Sequence, residues 1–139
     1  MDSVEIIRSL ASAKSRQNKD QIIRNAFLDG SHEFFVGARL ALDPFTIFGL
    51  TKVAEILEDD LAPGDLSFGE FVDLADRIRQ GLTDSVARAA LHEAAMRCNV
   101  SKWNLFYRRI LLKDLKVGVD AKQINKVLRT ASSFAATDY

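Results

Sequence analysis

Between Arg97 and Arg129 nine Lys and Arg residues stand against two Asp, in a 139-residue chain whose formal net charge is zero. They are Arg97, Lys102, Arg108, Arg109, Lys113, Lys116, Lys122, Lys126 and Arg129, opposed by Asp114 and Asp120. Such a surplus suits a partner that carries many negative charges. At its centre, Gly118 permits a sharp reversal and Asp120 opens a new helix. The first amides of a helix are unpaired and carry the positive end of its dipole, so they attract anions. Lys113, Lys116, Lys122 and Lys126 surround that point, and Gln123 and Asn125 donate from neutral side chains. A phosphate can sit there without any base being read. The same residues also describe an ordinary glycine cap and Asp cap between two core helices with solvated lysines, and spacing alone leaves both readings open.

A second basic island runs from Ser12 to Arg24, with Lys14, Arg16, Lys19 and Arg24 against Asp20. Ser15, Arg16 and Lys19 are its candidates for contact with a sugar-phosphate backbone. Alone it reads as a solvated loop between helices; two islands on one small domain favour binding more than either does. The compensating charge lies from Glu55 to Asp76, where eight carboxylates occur with no Lys or Arg. Their spacing does not follow a calcium-binding loop, and the stretch reads as a solvated acidic face that keeps one side of the protein away from a polyanion.

Residues for catalysis are not grouped. His32 and His92 have no Cys or His neighbour at metal-ligand spacing. Cys98 lacks a base partner and reads as a buried helical thiol. No glycine-rich strand–turn–helix phosphate loop occurs, and Trp103 and Tyr107, one turn apart, read as core.

The elements that must position these groups are helical. Ser3 is expected to cap a first helix burying Val4, Ile7 and Leu10. A second runs to about Gly30 with Ile22, Ile23, Ala26 and Phe27 inward, and a third follows Ser31. Asp43-Pro44 breaks it, because the residue before proline resists the helical region. A short fourth helix is expected over about Thr51 to Leu57. Ser67 and Glu70 form a capping box for a fifth, and a sixth runs from Thr83 or Asp84 to about Asn99. Ser101 is expected to cap a seventh, ended by Gly118, and Asp120 an eighth. No segment alternates over strand length, so the fold class is all-α, a single compact domain of about eight short helices spanning 1–131. Residues 132–139 read as the start of a linker. An apolar fraction of 47% with 27% charged residues fits a globular domain. The single Cys98, the lack of a secretory pattern and the lack of an 18-residue apolar run point to a cytoplasmic protein outside membranes.

The segment Arg108-Arg109-Ile110-Leu111-Leu112-Lys113-Asp114-Leu115-Lys116-Val117-Gly118, followed by Ile124-Asn125-Lys126-Val127, resembles part of the N-terminal DNA-binding domain of bacteriophage-type ATP-dependent DNA ligases. Asp43-Pro44-Phe45-Thr46-Ile47-Phe48-Gly49-Leu50 is similar to that family's aromatic turn. The opening helix, then Ser15-Arg16-Gln17-Asn18-Lys19 and Ile22-Ile23, is also similar, so the resemblance covers roughly residues 3–130. It implies an all-helical domain that grips nicked duplex DNA, mainly through the backbone and minor groove. It implies further that nucleotidyltransferase and OB-fold domains of the same parent chain do the sealing, with ATP and Mg there and no cofactor here. The Lys-x-Asp-Gly motif that takes AMP is missing from this sequence, so the chain alone is expected to be non-catalytic; a monomer in the cytoplasm of a bacterial or phage-infected cell is expected with the resemblance. A different class of reading, a helical protein-interaction module with acidic and basic faces, stays open at this level.

Overall fold

The computed structural model describes residues 2–56 and 64–137. Seven helices, and no strand, occur among them. They are α1 (Ser3–Ser12), α2 (Arg16–Leu28), α3 (His32–Leu42), α4 (Phe68–Arg79), α5 (Asp84–Met96), α6 (residues 100–111) and α7 (Ala121–Thr137). The middle of α6, Trp103–Tyr107, is wound as a π-helix, with the Arg108 amide donating back to the Trp103 carbonyl. The all-α expectation therefore stands.

Helix α6 is the axle of the core. Trp103, Phe106, Tyr107, Ile110 and Leu111 are all buried on it. Phe106 lies between Phe34 of α3 and Phe68 of α4, with ring centres 6.4 and 6.2 Å away. Tyr107 stacks on Phe71 at 4.2 Å. Gly37 is what lets α3 approach so near: a Cβ there would collide with Phe106 and Ile110. Burial pushes the Cys98 thiol up to about 11, so it stays protonated and behaves as a small apolar group.

The expected helix from Thr51 to Leu57 does not form. Thr51 to Ile56 is irregular backbone, and Leu57 lies outside the described residues. Its polar groups are bonded by side chains of α6 instead of by a helical ladder. Arg108 Nε donates to the Val53 carbonyl (2.6 Å) and Trp103 Nε1 to that of Ala54 (2.9 Å). Asn104 takes both groups of Ile56, accepting from its amide at 2.8 Å and donating to its carbonyl at 3.0 Å. A helix there would withdraw those groups into its own bonds and orphan the polar atoms of Trp103, Asn104 and Arg108.

Several ends also differ from expectation. Asp2, not Ser3, caps α1, its carboxylate accepting from the Glu5 amide at 2.8 Å, while Ser3 is buried inside the first turn. Asn99, not Ser101, caps α6, and the Ser101 hydroxyl accepts from Arg8. Helix α5 stops at Met96. The capping box of Ser67 and Glu70 is present at the start of α4. Helix α6 ends at Leu111 rather than near Gly118, and α7 keeps the backbone helical through Thr137, where a linker was expected from 132. Of the acidic run, Glu58, Asp59 and Asp60 lie outside the described residues.

Replacing Asn104 with Ala removes both bonds to Ile56 at a half-buried site. It is expected to cost about 1–3 kcal/mol in urea-induced unfolding. A loss below a few tenths would show that the 53–56 strap is held by Trp103 and Arg108 alone.

Candidate nucleic-acid interface

The two basic islands, remote in sequence, meet in space. Helix α7 buries Ile124, Val127 and Ala131 and turns Lys122, Asn125, Lys126 and Arg129 outward. These outer positions recur at spacings of three and four, one face of a helix. Gln123, only 4% exposed, is the link to α2. Its amide donates to the Asp20 carboxylate at 2.8 Å and to the Arg16 carbonyl at 3.5 Å. Arg16 then borders one open depression of about 860 Å³ with Lys122, Asn125, Lys126, Leu128, Arg129 and Ser132. A second link joins Lys19 Nζ to the Gly118 carbonyl at 3.3 Å.

The turn between α6 and α7 is made by a series of left-handed residues: Lys113 (φ 62°), Lys116 (φ 55°) and Gly118 (φ 65°). Lys113 ends α6. Its amide bonds to Ile110 and that of Asp114 to Arg109, the paired arrangement usually closed by glycine. A lysine pays strain in that conformation, and what holds it there is its ammonium. Lys113 Nζ donates to the Leu40 carbonyl at 2.7 Å and also to that of Asp43, and partial burial pulls its pKa down. Asp114 accepts from the Lys116 amide at 2.9 Å, steadying the second left-handed residue. Asp120 accepts from the Gln123 amide at 2.8 Å and so caps α7 as expected.

Each candidate residue can now be placed. Arg16, Lys122, Asn125 and Lys126 share the depression, and Lys19 reaches Gly118 beside it. Lys116 is exposed on the turn. Ser15 caps α2, its hydroxyl oxygen accepting from the Asn18 amide at 3.1 Å. Lys113 does not join them: its charge is turned inward onto two carbonyls. Arg129 joins the face although it was not among the chosen candidates. The signal was available, since it follows Lys122 and Lys126 at helical spacing.

The charges in and around the basic run divide into two groups. Arg97 pairs with Asp65 and Glu70 at 2.9 and 2.8 Å, Lys102 with Glu33 and Arg108 with Glu55, both at 3.5 Å. No described carboxylate pairs with Lys116, Lys122, Lys126 or Arg129. The acidic stretch is thus partly spent on internal pairs, while the α2–α7 face presents exposed cations with no described carboxylate partner. No group of three or more His, Cys, Asp and Glu able to hold a metal occurs among the described residues. No helix there is long and apolar enough to cross a membrane.

Two solved structures resemble this fold. Pmar-Lig_Pre is 39% identical over 92% of this chain with a TM-score of 0.87, and Pmar-Lig_PreS3 is 38% identical over 95% with a TM-score of 0.88. The likeness is to ligase-related proteins. This chain spans 29% and 30% of their lengths. No protein-family model matches the sequence, and no curated protein does either.

The turn at Asp43 supplies a pH test. Its carboxyl is held below the ordinary value of 3.8 first by the Phe45 amide, which outweighs the opposing effect of burial, with the Thr46 hydroxyl, Lys113 and Arg39 adding smaller pulls in the same direction. A depressed folded pKa means stability that is present above the unfolded value and lost as pH falls through the folded one. Acid titration followed by NMR is therefore expected to show Asp43 titrating below a peptide aspartate. Lys113→Met should move it back toward 3.8.

Proposed function

We propose that this chain is a non-catalytic DNA-binding domain of an ATP-dependent DNA ligase, which grips nicked duplex DNA by its phosphate backbone and positions it for sealing by other domains. The observation that carries this reading is the convergence of the two basic islands on one face, through Gln123 with Asp20 and Lys19 with Gly118. The likeness to ligase-related structures supports it.

The residues act by position and charge. Lys122, Lys126, Arg129 and Arg16 neutralise successive phosphates from the rim of the depression, and Asn125 adds an uncharged donor. Lys116 and Lys19 approach from the turn, where Gly118 keeps the backbone close. Ser15 keeps the start of α2, and with it Arg16, in place, and its hydroxyl proton remains available to a phosphate oxygen. Lys113 acts indirectly by fixing the end of α6 from which the turn departs. None of these contacts reads a base, so the grip is indifferent to sequence.

Sealing needs ATP and Mg, which this reading places in other domains of the parent chain. The sequence has no Lys-x-Asp-Gly to accept AMP, and its carboxylates near the basic face are committed to caps and to Gln123. The chemistry belongs to the nucleotidyltransferase and OB-fold domains of the parent chain, acting in the cytoplasm, and the domain works as a monomer on its DNA. The rival reading, a protein-interaction module with an acidic docking face, is weakened because Glu55, Asp65, Glu70 and Asp76 have internal partners.

If about five phosphates are neutralised, log affinity for duplex falls against log salt with a slope of about −4 to −5. Replacing Lys122 and Lys126 together with Gln should reduce that slope by about 2 and weaken unrelated sequences alike. Fluorescence anisotropy across a salt series measures both. Duplex binding that ignores salt, or no binding at low salt, removes the proposal.

A further inference from the structure

Helices α3 and α7 turn apolar stripes toward each other without filling the space between them. Phe35, Ala38 and Leu42 on α3, and Ala121, Ile124 and Leu128 on α7, line that space at helical spacings of three and four. Helix α7 is packed mainly on α2, so the stripes leave a groove of about 630 Å³ instead of interdigitating. Phe35, Leu42 and Leu128 are only half-buried there. The ridges of a further helix are what ordinarily fill such a space.

The rims of this groove are positive. Arg39 stands exposed on the α3 side. On the α7 side, Asn125 and Leu128 border both the groove and the depression that holds Lys122, Lys126 and Arg129. The carboxylate lining the groove, that of Asp43, is taken by the Phe45 amide and the Thr46 hydroxyl of its own turn. An occupant must therefore bring apolar side chains at helical intervals with negative charge beside them. Duplex DNA offers phosphates to the depression but no apolar ridge to the groove. A second copy of this chain would set the same cations against themselves across a two-fold axis.

We propose that the α3–α7 groove is the docking site for an acidic amphipathic helix of a partner protein. Its apolar side chains, one helical turn apart, cover Phe35, Leu42 and Leu128. Its flanking Asp and Glu residues meet Arg39 on one rim and the Lys122, Lys126 and Arg129 side of α7 on the other. Asn125, between the rims, donates to whichever oxygen lies above it. Apolar burial supplies the affinity and rim charge the orientation. Docking there stands apart from the DNA grip, because the groove walls touch no phosphate.

The test uses this chain and a fluorescein-labelled peptide of about four helical turns. The peptide carries Leu at i, i+3, i+4 and i+7 among Glu and Ala, and a scrambled peptide of the same composition accompanies it. The helical peptide is expected to bind with micromolar affinity by anisotropy and to shift the amides of Phe35, Arg39, Leu42 and Leu128 in NMR spectra. The scrambled peptide should bind at least about tenfold more weakly. Leu128→Ala and Arg39→Glu should each weaken the helical peptide by about three- to tenfold. Arg39 is exposed, so its variant keeps the melting temperature and separates docking from folding. Equal binding of the scrambled peptide, binding indifferent to both variants, or no binding would overturn the proposal. Self-association on sedimentation that Leu128→Ala abolishes would overturn it by assigning the groove to a second copy. Groove amides shifted by duplex DNA and not by the peptide would overturn it in favour of nucleic acid.

Discussion

One ammonium group, that of Lys113, sits where three parts of the molecule meet. It terminates α6 in a backbone conformation that lysine ordinarily avoids, and it holds the Leu40 and Asp43 carbonyls at the end of α3 and just beyond it. A buried-side cation at the C-terminal end of a helix is favourable because the carbonyls there are unpaired and carry the negative end of the dipole. Everything downstream follows from that anchor. The chain leaves it through the left-handed turn to Gly118, and α7 begins where the turn ends. The Phe45 turn hangs from the same anchor on its other side. A lysine that looks like one more surface charge is thus a fixed point of the backbone.

The neutral total conceals a division of labour among charges. Arg97 ties α4 to the end of α5, Lys102 ties α6 to α3, and Arg108 ties the 53–56 strap to α6. Exposed ion pairs of this kind add little stability each, but they occupy carboxylates that would otherwise project a field toward a polyanion. The α2–α7 face keeps its lysines without such partners. The asymmetry therefore arises as much from where the negative charges are used as from where the positive ones lie.

Much of this was legible in the residues. The apolar spacing of 103, 106, 107, 110 and 111 marked the buried side of α6, and the Ser67 and Glu70 box marked the start of α4. Cap and periodicity signals are local, so sequence carries them. What failed was decided by distant groups. Thr51 to Ile56 has an ordinary helical composition, yet its backbone answers to Trp103, Asn104 and Arg108, about fifty positions away. The end of α6 was assigned to Gly118 because glycine is the usual left-handed residue. Nothing near Lys113 announces that the carbonyls of Leu40 and Asp43 will hold it. In the candidate face, helical spacing located Lys122 and Lys126, but Gln123 as the bridge between islands required knowing that α2 lies against α7.

The bond from Lys19 to Gly118 joins residues 99 positions apart. The face they help form therefore has no counterpart in the unfolded chain, where the two basic islands drift independently. A partner that needs the two islands side by side favours the folded state over the unfolded one, and by mass action it raises the cost of unfolding. On the proposed function, affinity for a polyanion and resistance to denaturation would be two readings of one equilibrium, with a bound backbone as a clasp between the beginning and the end of the chain.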